Sequence, residues 1–218
     1  MLMHTAFGPF LMPLTDTQQD DVLWAARAGD VEALAETLGQ ANVSISEALS
    51  VTNEAKNTPL HFSAANGHID FVRHVLPHAN LRILLGQNDA GNTPLHWAAF
   101  NGKADVVEAL VDAIESAERT DTELANELRA AEDAREAERH RAAQAEENIP
   151  AEERAKEAER HAEQQRERAL WDVRNAAGHG PMTEAQMSDN EQIVQLLLAR
   201  LARGDDALVP GDDSGAPA

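Results

Sequence analysis

The chain reads NTPLHFSAANGH over residues 57–68 and NTPLHWAAFNGK over residues 92–103, within a total of 218 residues. Order and spacing agree, and the second copy begins 35 residues after the first. Apolar residues at helical spacing follow each copy, first Ile69, Phe71, Val72, Val75 and Leu76, then Val106, Val107, Leu110 and Val111. Self-similarity at such a period predicts stacked units that share one continuous core.

Each copy carries the signals of a helix, a tight turn and a second helix. The threonine can cap the first helix, and the proline after it stands where a missing N–H costs nothing. The glycine suits the left-handed turn between paired helices. We expect the histidines of the two copies, His61 and His96, to be hydrogen-bonding scaffold residues rather than metal ligands or bases.

Weaker copies flank these two. LWAARAGD at residues 23–30 repeats the helix–glycine half, and NAAGHGPM at residues 175–182 opens a last copy in which Asp189 replaces the glycine. The T-P-L-H-x-[S/A]-A pattern and a period near 33 resemble the ankyrin repeat. The resemblance implies an all-α solenoid of about four repeats with short β-turn or hairpin tips, whose degenerate end copies act as caps.

The spacing breaks before the last copy. Gly102 and Asp189 are 87 residues apart, which leaves roughly 54 residues beyond one period of about 33. Residues 117–169 are rich in alanine and in opposite charges at helical intervals, and Pro150 interrupts them. We predict an inserted helical hairpin that protrudes from the array, with Ala130, Ala134 and Ala137 along its seam. It is either a solvated insertion without a partner or a binding or dimerising arm.

The predicted organisation has five parts. They are a flexible N-terminal segment at 1–14, repeats 1–3 at 15–116, the hairpin at 117–169, repeat 4 at 170–204, and a disordered acidic tail at 205–218. The apolar start is too short and too rich in proline to span a bilayer or to direct export.

The net charge is −20, from 38 acidic and 18 basic residues. Residues 117–169 are nearly balanced, with 16 acids and 10 bases, whereas the rest carries 22 acids and 8 bases. Such a charge repels phosphate backbones and anionic lipids, so we expect a basic protein partner and no direct nucleic-acid or membrane binding. The absence of cysteine fits a reducing compartment. We expect a monomer in the cytoplasm, with the nucleus as a second candidate compartment.

No pattern indicates catalysis, a cofactor or a metal. His74 and His78 have the spacing of metal ligands on a helix, but Pro77 interrupts that helix and no carboxylate completes a motif. No phosphate loop or nucleophile elbow appears. We therefore expect a protein that is not an enzyme.

A narrower resemblance exists, carried by residues 26–30, 64–69, 72–73, 91–98, 101–103, 105–107, 173–175, 178–179 and 184–185. In these segments the chain is similar to the fungal ankyrin-repeat chaperone of one small-subunit, KH-domain ribosomal protein. The resemblance implies a stoichiometric chaperone that keeps its basic client soluble until ribosome assembly. A general ankyrin adaptor in signalling, transcription or proteasome assembly is the alternative.

Ankyrin arrays bind through their concave face, and the resemblance assigns partner-binding positions there: Glu54, Asn57, Asn66, Asp89, Asn92, Phe100, Asn101, His179 and Met187. Phe100 either anchors a partner or packs against the next repeat or the hairpin base. We expect Trp24 and Trp97, at equivalent positions, to stack in the core between repeats.

Overall fold

The structure is a computed structural model that describes residues 14–146 and 169–206. It contains eleven α-helices within those residues, and a 3-10 turn at Leu76–His78 follows α5. The helices are α1 Asp16–Ala28, α2 Val31–Ala41, α3 Ile45–Ala48, α4 Pro59–Asn66, α5 Ile69–Val75, α6 Leu81–Leu84, α7 Pro94–Phe100, α8 Ala104–Thr120, α9 Thr122–Glu146, α10 Pro181–Met187 and α11 Glu191–Asp206. No strand occurs among these described residues.

Four helix pairs make four repeats, which confirms the predicted fold. The pairs are α1–α2, α4–α5, α7–α8 and α10–α11. Gly67 joins α4 to α5 with φ 77°, in the left-handed region that glycine favours. Asp189 joins α10 to α11 with φ 58°, so the aspartate adopts the same turn at some conformational cost. The fourth copy is thus structurally equivalent despite its missing glycine.

The repeats stack side by side, so that their first helices form one layer and their second helices form another. The first helices, α1, α4, α7 and α10, contact one another along the array more extensively than the second helices do. Closer approach on one side bends the stack, so the first-helix layer lies on the concave side. Small buried residues, among them Ala25, Ala64 and Ala98, permit this approach. The buried core runs between the layers through Leu34, Leu60, Phe71, Leu95, Leu110, Ile114, Trp171, Ile193 and Leu197.

The loops before α4, α7 and α10 share one turn held by asparagine. The Oδ1 atom of Asn88 accepts from the N–H groups of Ala90 and Asn92 at 3.0 and 2.9 Å, and Asn53 and Asn175 cap their own loops in the same way. Asn88 Nδ2 donates to Asn57 Oδ1 at 2.8 Å, which links one loop to the next. The tips therefore form a ladder along one edge of the array.

The two T-P-L-H histidines are hydrogen-bonding residues, as predicted, and the structure shows that they join consecutive repeats. The Thr58 N–H donates to His61 Nδ1 at 3.1 Å, which leaves Nε2–H to donate to the Asn92 carbonyl at 2.8 Å. His96 repeats this arrangement and reaches the His179 carbonyl at 3.0 Å. Both rings are buried and lie between loops, so the histidines are scaffold residues.

The region predicted as an insertion starts as part of the array. The expected boundary at residue 117 lies inside α8, which continues to Thr120 before Asp121 separates it from α9. At the start of α9, Ala125 is buried and Leu124 and Leu128 pack against the core, so this half lies along the repeats. The first arm of the predicted hairpin therefore does not simply protrude, because its apolar residues have a surface to cover.

Ala130, Ala134 and Ala137 are exposed on α9. The second arm, which the prediction places against them, lies outside the described residues, as do 1–13 and 207–218 of the predicted terminal segments. The residues predicted as the start of the tail, 205 and 206, end α11. Among the helices described, none combines the length and the apolar character that a membrane crossing requires.

Candidate functional site on the concave face

The repeat alignment places two rows of side chains on the first helices. Three residues after the proline position stand Trp24, Phe62, Trp97 and Glu184, which we call the upper row. Six residues after it stand Arg27, Ala65, Phe100 and Met187, which we call the lower row. Because each row uses one position of every first helix, it runs along the whole concave layer.

The rows expose more apolar surface than the rest of the array. The exposed large apolar residues of the described chain are Leu198 and three row members, Trp24 at 60%, Phe100 at 51% and Met187 at 63%. An apolar patch on a chain this acidic is typical of an interaction site.

The expectation that Trp24 is a core residue is therefore wrong, and Trp97 is only half-buried. Phe62 is covered by Arg27 of the preceding repeat, but Trp24 belongs to the first repeat. No earlier repeat exists within residues 14–146 to supply such a cover, so its indole faces solvent.

The centre of the site is an aromatic cluster. Phe62 meets Trp97 edge to face, with centroids 6.1 Å apart at 74°, and His61 meets Trp97 at 5.6 Å and 82°. The Arg27 guanidinium carbon lies 4.4 Å from the centroid of the Phe62 ring. The cluster is thus preorganised, with Trp97 held on one side by two buried rings.

A groove continues from this cluster toward the fourth repeat. Its lining is Ala65, Asn92, His96, Trp97, Phe100, Asn101 and Glu184. Phe100 is therefore an open groove residue rather than one buried by the neighbouring repeat. Glu184 takes the upper-row position in repeat 4 and accepts from Asn175 Nδ2 at 2.8 Å, which fixes a carboxylate at the groove's end.

The other end of the concave layer is also acidic. A second groove, between repeats 1 and 2, is lined by Asp16, Gln19, Asp20, Leu23, Thr52, Asn53 and Glu54. Asp20 stands one turn before Trp24 on α1, so carboxylate and indole lie on the same side of the helix. The apolar rows are therefore bounded by carboxylates at both ends, a combination that favours a partner with apolar and basic side chains.

The predicted partner-binding residues divide into exposed residues and scaffold residues. Glu54, Asn66, Asp89, Phe100, Asn101 and Met187 are exposed. Asn57 is buried, and its side chain belongs to the loop ladder, so placing it on the binding surface is wrong. Asn92 and His179 are half-buried, with their carbonyls accepting from the two scaffold histidines. Asp89 pairs with Lys56 at 2.7 Å, which neutralises this carboxylate locally.

Sequence reasoning missed Arg27, Phe62 and Glu184 as members of the site. The alignment of the four copies carried the signal, since the same offset from the proline position finds every member of a row. Within residues 14–146 and 169–206, no group of three His, Asp or Glu side chains could hold a metal ion. The arrangement is that of a surface for binding protein.

Paired helices, a left-handed turn and histidines that reach the next loop give the described residues an ankyrin-repeat fold. A family model described as ankyrin repeats in three copies matches residues 22–121. The structural repeat formed by α10 and α11 lies beyond that match and completes the array.

Two ankyrin repeat-containing proteins from yeasts match part of the chain. The chain is 35% identical over 68 residues to the ankyrin repeat-containing protein P16F5.05c of Schizosaccharomyces pombe, covering 31% of this chain and 44% of the relative. It is 40% identical over 66 residues to the ankyrin repeat-containing protein YAR1 of Saccharomyces cerevisiae, covering 29% and 32%. The aligned segments span less than half the length of either relative.

A solved structure matches over a greater length. The crystal structure of the yeast ribosomal protein Rps3 in complex with its chaperone Yar1 contains a chain that covers 92% of this chain and is itself covered completely. The TM-score is 0.58 at 27% sequence identity.

Proposed function

We propose that the chain is a non-enzymatic, dedicated chaperone of a small-subunit ribosomal protein corresponding to Rps3. The observation that carries this proposal is the full-length structural match to a chain from the complex of Rps3 with its chaperone. The chaperone binds its client in the concave groove as a monomer. It acts in the cytoplasm, and the nucleus is a second compartment for hand-over.

The chemistry of the groove supports such a client. Ribosomal proteins are basic because they bind RNA, and a chain with net charge −20 attracts them while it repels the RNA. Exposed Phe100 and Met187 supply apolar anchors, and carboxylates stand at either end of the rows. An adaptor for an acidic or neutral partner would derive no advantage from these carboxylates.

Mixing the purified full-length chain with the ribosomal client tests the proposal. We expect a one-to-one complex in size-exclusion chromatography with light scattering, and a client that stays soluble at low salt. The F100A/M187A double variant removes two central anchors, so its affinity should fall by about 10-fold or more. L198A is the matched control, because Leu198 is also an exposed apolar residue but lies on α11, outside the rows.

Two results would contradict the proposal. One is the absence of a complex with the ribosomal protein; the other is an equal effect of F100A/M187A and L198A. Recovery of a multiprotein assembly without that client in a pull-down would favour the general adaptor instead.

A further inference from the structure

The Arg27 side chain of the first repeat lies over the Phe62 ring of the second. The Arg27 backbone carbonyl accepts from His68 Nε2 at 2.8 Å and from Asn66 Nδ2 at 3.4 Å, so the main chain at Arg27 is fixed. The side chain is exposed, and within the described residues no carboxylate forms a salt bridge with it. Its guanidinium lies 4.4 Å from the Phe62 centroid, well within the range of a cation–π interaction.

Arg27 differs from its equivalents in the other repeats. The lower-row positions there hold Ala65, Phe100 and Met187, which are all apolar. Arg27 reaches from the first repeat across to the aromatic residue of the second, and Phe62 remains only 7% exposed. Because Arg27 lies over the Phe62 ring, its removal would expose that ring face on the concave side.

Phe62 and the residues near Arg27 on α1 supply the groups that bind a guanidinium. Trp97 meets the Phe62 ring at 74°, and the Arg27 guanidinium over that ring shows that one Phe62 face accepts a planar cation. Trp24 stands three residues before Arg27 on α1, and Asp20 stands one turn before Trp24. Aromatic faces together with a carboxylate suit arginine better than lysine, because the guanidinium stacks as a plane while the ammonium is more strongly hydrated.

We propose that Phe62, Trp97 and Trp24 form an arginine-binding subsite, which Arg27 occupies in the free protein and vacates for an arginine of the partner. Arg27 thus covers an apolar ring until a basic segment arrives, and the exchange replaces one cation–π contact with another. The identity of that partner rests on the proposed function, whereas the chemistry of the subsite does not. The expected occupant is an arginine side chain in a basic protein segment.

Binding of a short alanine–lysine peptide with one central arginine to the full-length chain tests the subsite. Two otherwise identical peptides carry citrulline or lysine in place of that arginine. Titrations follow tryptophan fluorescence and the indole N–H signals of Trp24 and Trp97. R27A removes the competing cation, so it should bind the arginine peptide about 2- to 30-fold more tightly than the wild type. Adding F62L to R27A should abolish that gain.

R73A is the matched control, since Arg73 is an exposed arginine on α5, in the outer layer, and its loss changes the net charge equally. The proposal is overturned if R27A binds no more tightly than R73A, or if the citrulline peptide gains as much as the arginine peptide. Failure of the ribosomal client to bind the wild type would reject the proposed function alone, because the peptide titration does not use that client.

Discussion

His61 and His96 show how a single side chain can connect repeats. Each ring uses both nitrogens, accepting from a threonine at Nδ1 and donating from Nε2 to the next loop. Protonation of Nδ1 would destroy its role as an acceptor. Burial is the main cause that lowers the pKa of each histidine from 6.5 to about 4, and the backbone carbonyl that each ring faces opposes part of this effect.

These histidines make the stability of the array depend on pH. Their pKa is lower in the folded chain than the ordinary 6.5, so the stabilisation is complete above pH 6.5 and is lost as pH falls toward 4. When the pH falls from 7.5 to 5, each histidine should lower the free energy of unfolding by about 2 kcal/mol. Urea unfolding of the wild type and of H96Q at both pH values measures this loss.

H96Q is expected to be less stable at pH 7.5 but to lose about 2 kcal/mol less on acidification, because a glutamine has no proton to gain. H74Q is the control, since His74 is an exposed histidine on α5. Equal pH dependence of the wild type and H96Q would show that His96 is not the linked group.

Helix α9 does not belong to any of the four helix pairs. Its Glu132 carboxylate connects it to Arg174, next to the fourth repeat. This carboxylate is only 8% exposed, and its Oε1 accepts from the Arg174 N–H and from Arg139 Nη2, both at 3.1 Å. Its Oε2 lies 3.2 Å from Arg135 Nη2. Because Arg174 precedes the loop of the fourth repeat, these contacts connect α9 to the last repeat.

Removing the Glu132 carboxylate should loosen both α9 and that loop. E132A removes a buried carboxylate that accepts from the Arg174 N–H and from half-exposed Arg139, so we expect about 1–3 kcal/mol of destabilisation. Hydrogen exchange should accelerate at the Arg174 amide and along α9, while urea denaturation measures the total loss.

E127A provides the comparison on the same helix. Glu127 pairs with Arg82 at 2.8 Å, but both side chains are more than half exposed, so its removal should cost less than about 1 kcal/mol. Similar effects of E127A and E132A would contradict the role assigned to burial, and unchanged exchange at Arg174 would contradict the connection to the fourth repeat.

At the scale of the whole molecule, charge is distributed around the array rather than confined to the groove. On the outer layer, the Arg200 guanidinium pairs with three carboxylates, those of Glu108, Asp112 and Glu115. Its Nη1 atom lies 2.6 Å from Asp112 Oδ1. On the concave side, Asp20 and Glu54 line a groove whose described lining contains no base. Arg200 therefore partly neutralises the carboxylates of the outer layer. The groove carboxylates have no base beside them in the described lining, so they are available to a basic client.

Affinity for the proposed ribosomal client should therefore fall steeply with salt, because screening weakens attraction between exposed charges. We expect the association rate to decrease by about 10-fold or more between 50 and 500 mM salt. D20N/E54Q should weaken binding more than E32Q/E36Q, which removes the same charge from exposed positions on α2. Calorimetry that shows salt-insensitive binding, or equal effects of the two double variants, would reject the electrostatic mechanism.

The repeat architecture is readable from the sequence, because helix caps, turn glycines and helical spacing are local signals that recur at one period. The sequence also predicted that His61 and His96 are hydrogen-bonding scaffold residues and that Met187 lies on the concave face. The net charge of −20 and the resemblance to a fungal chaperone also predict a basic protein partner.

Which side chains are exposed and which are buried depends on the tertiary structure. Asn57 and Asn92 occupy the same position in their loops and both accept from the next loop's asparagine, yet Asn57 is buried and Asn92 only half-buried. Trp24 is exposed where a core residue was expected. The stacking of Arg27 on Phe62 and the contact of Glu132 with Arg174 join residues of different repeats or segments. Such pairings depend on how neighbouring elements are placed in space, and no local periodicity encodes that placement.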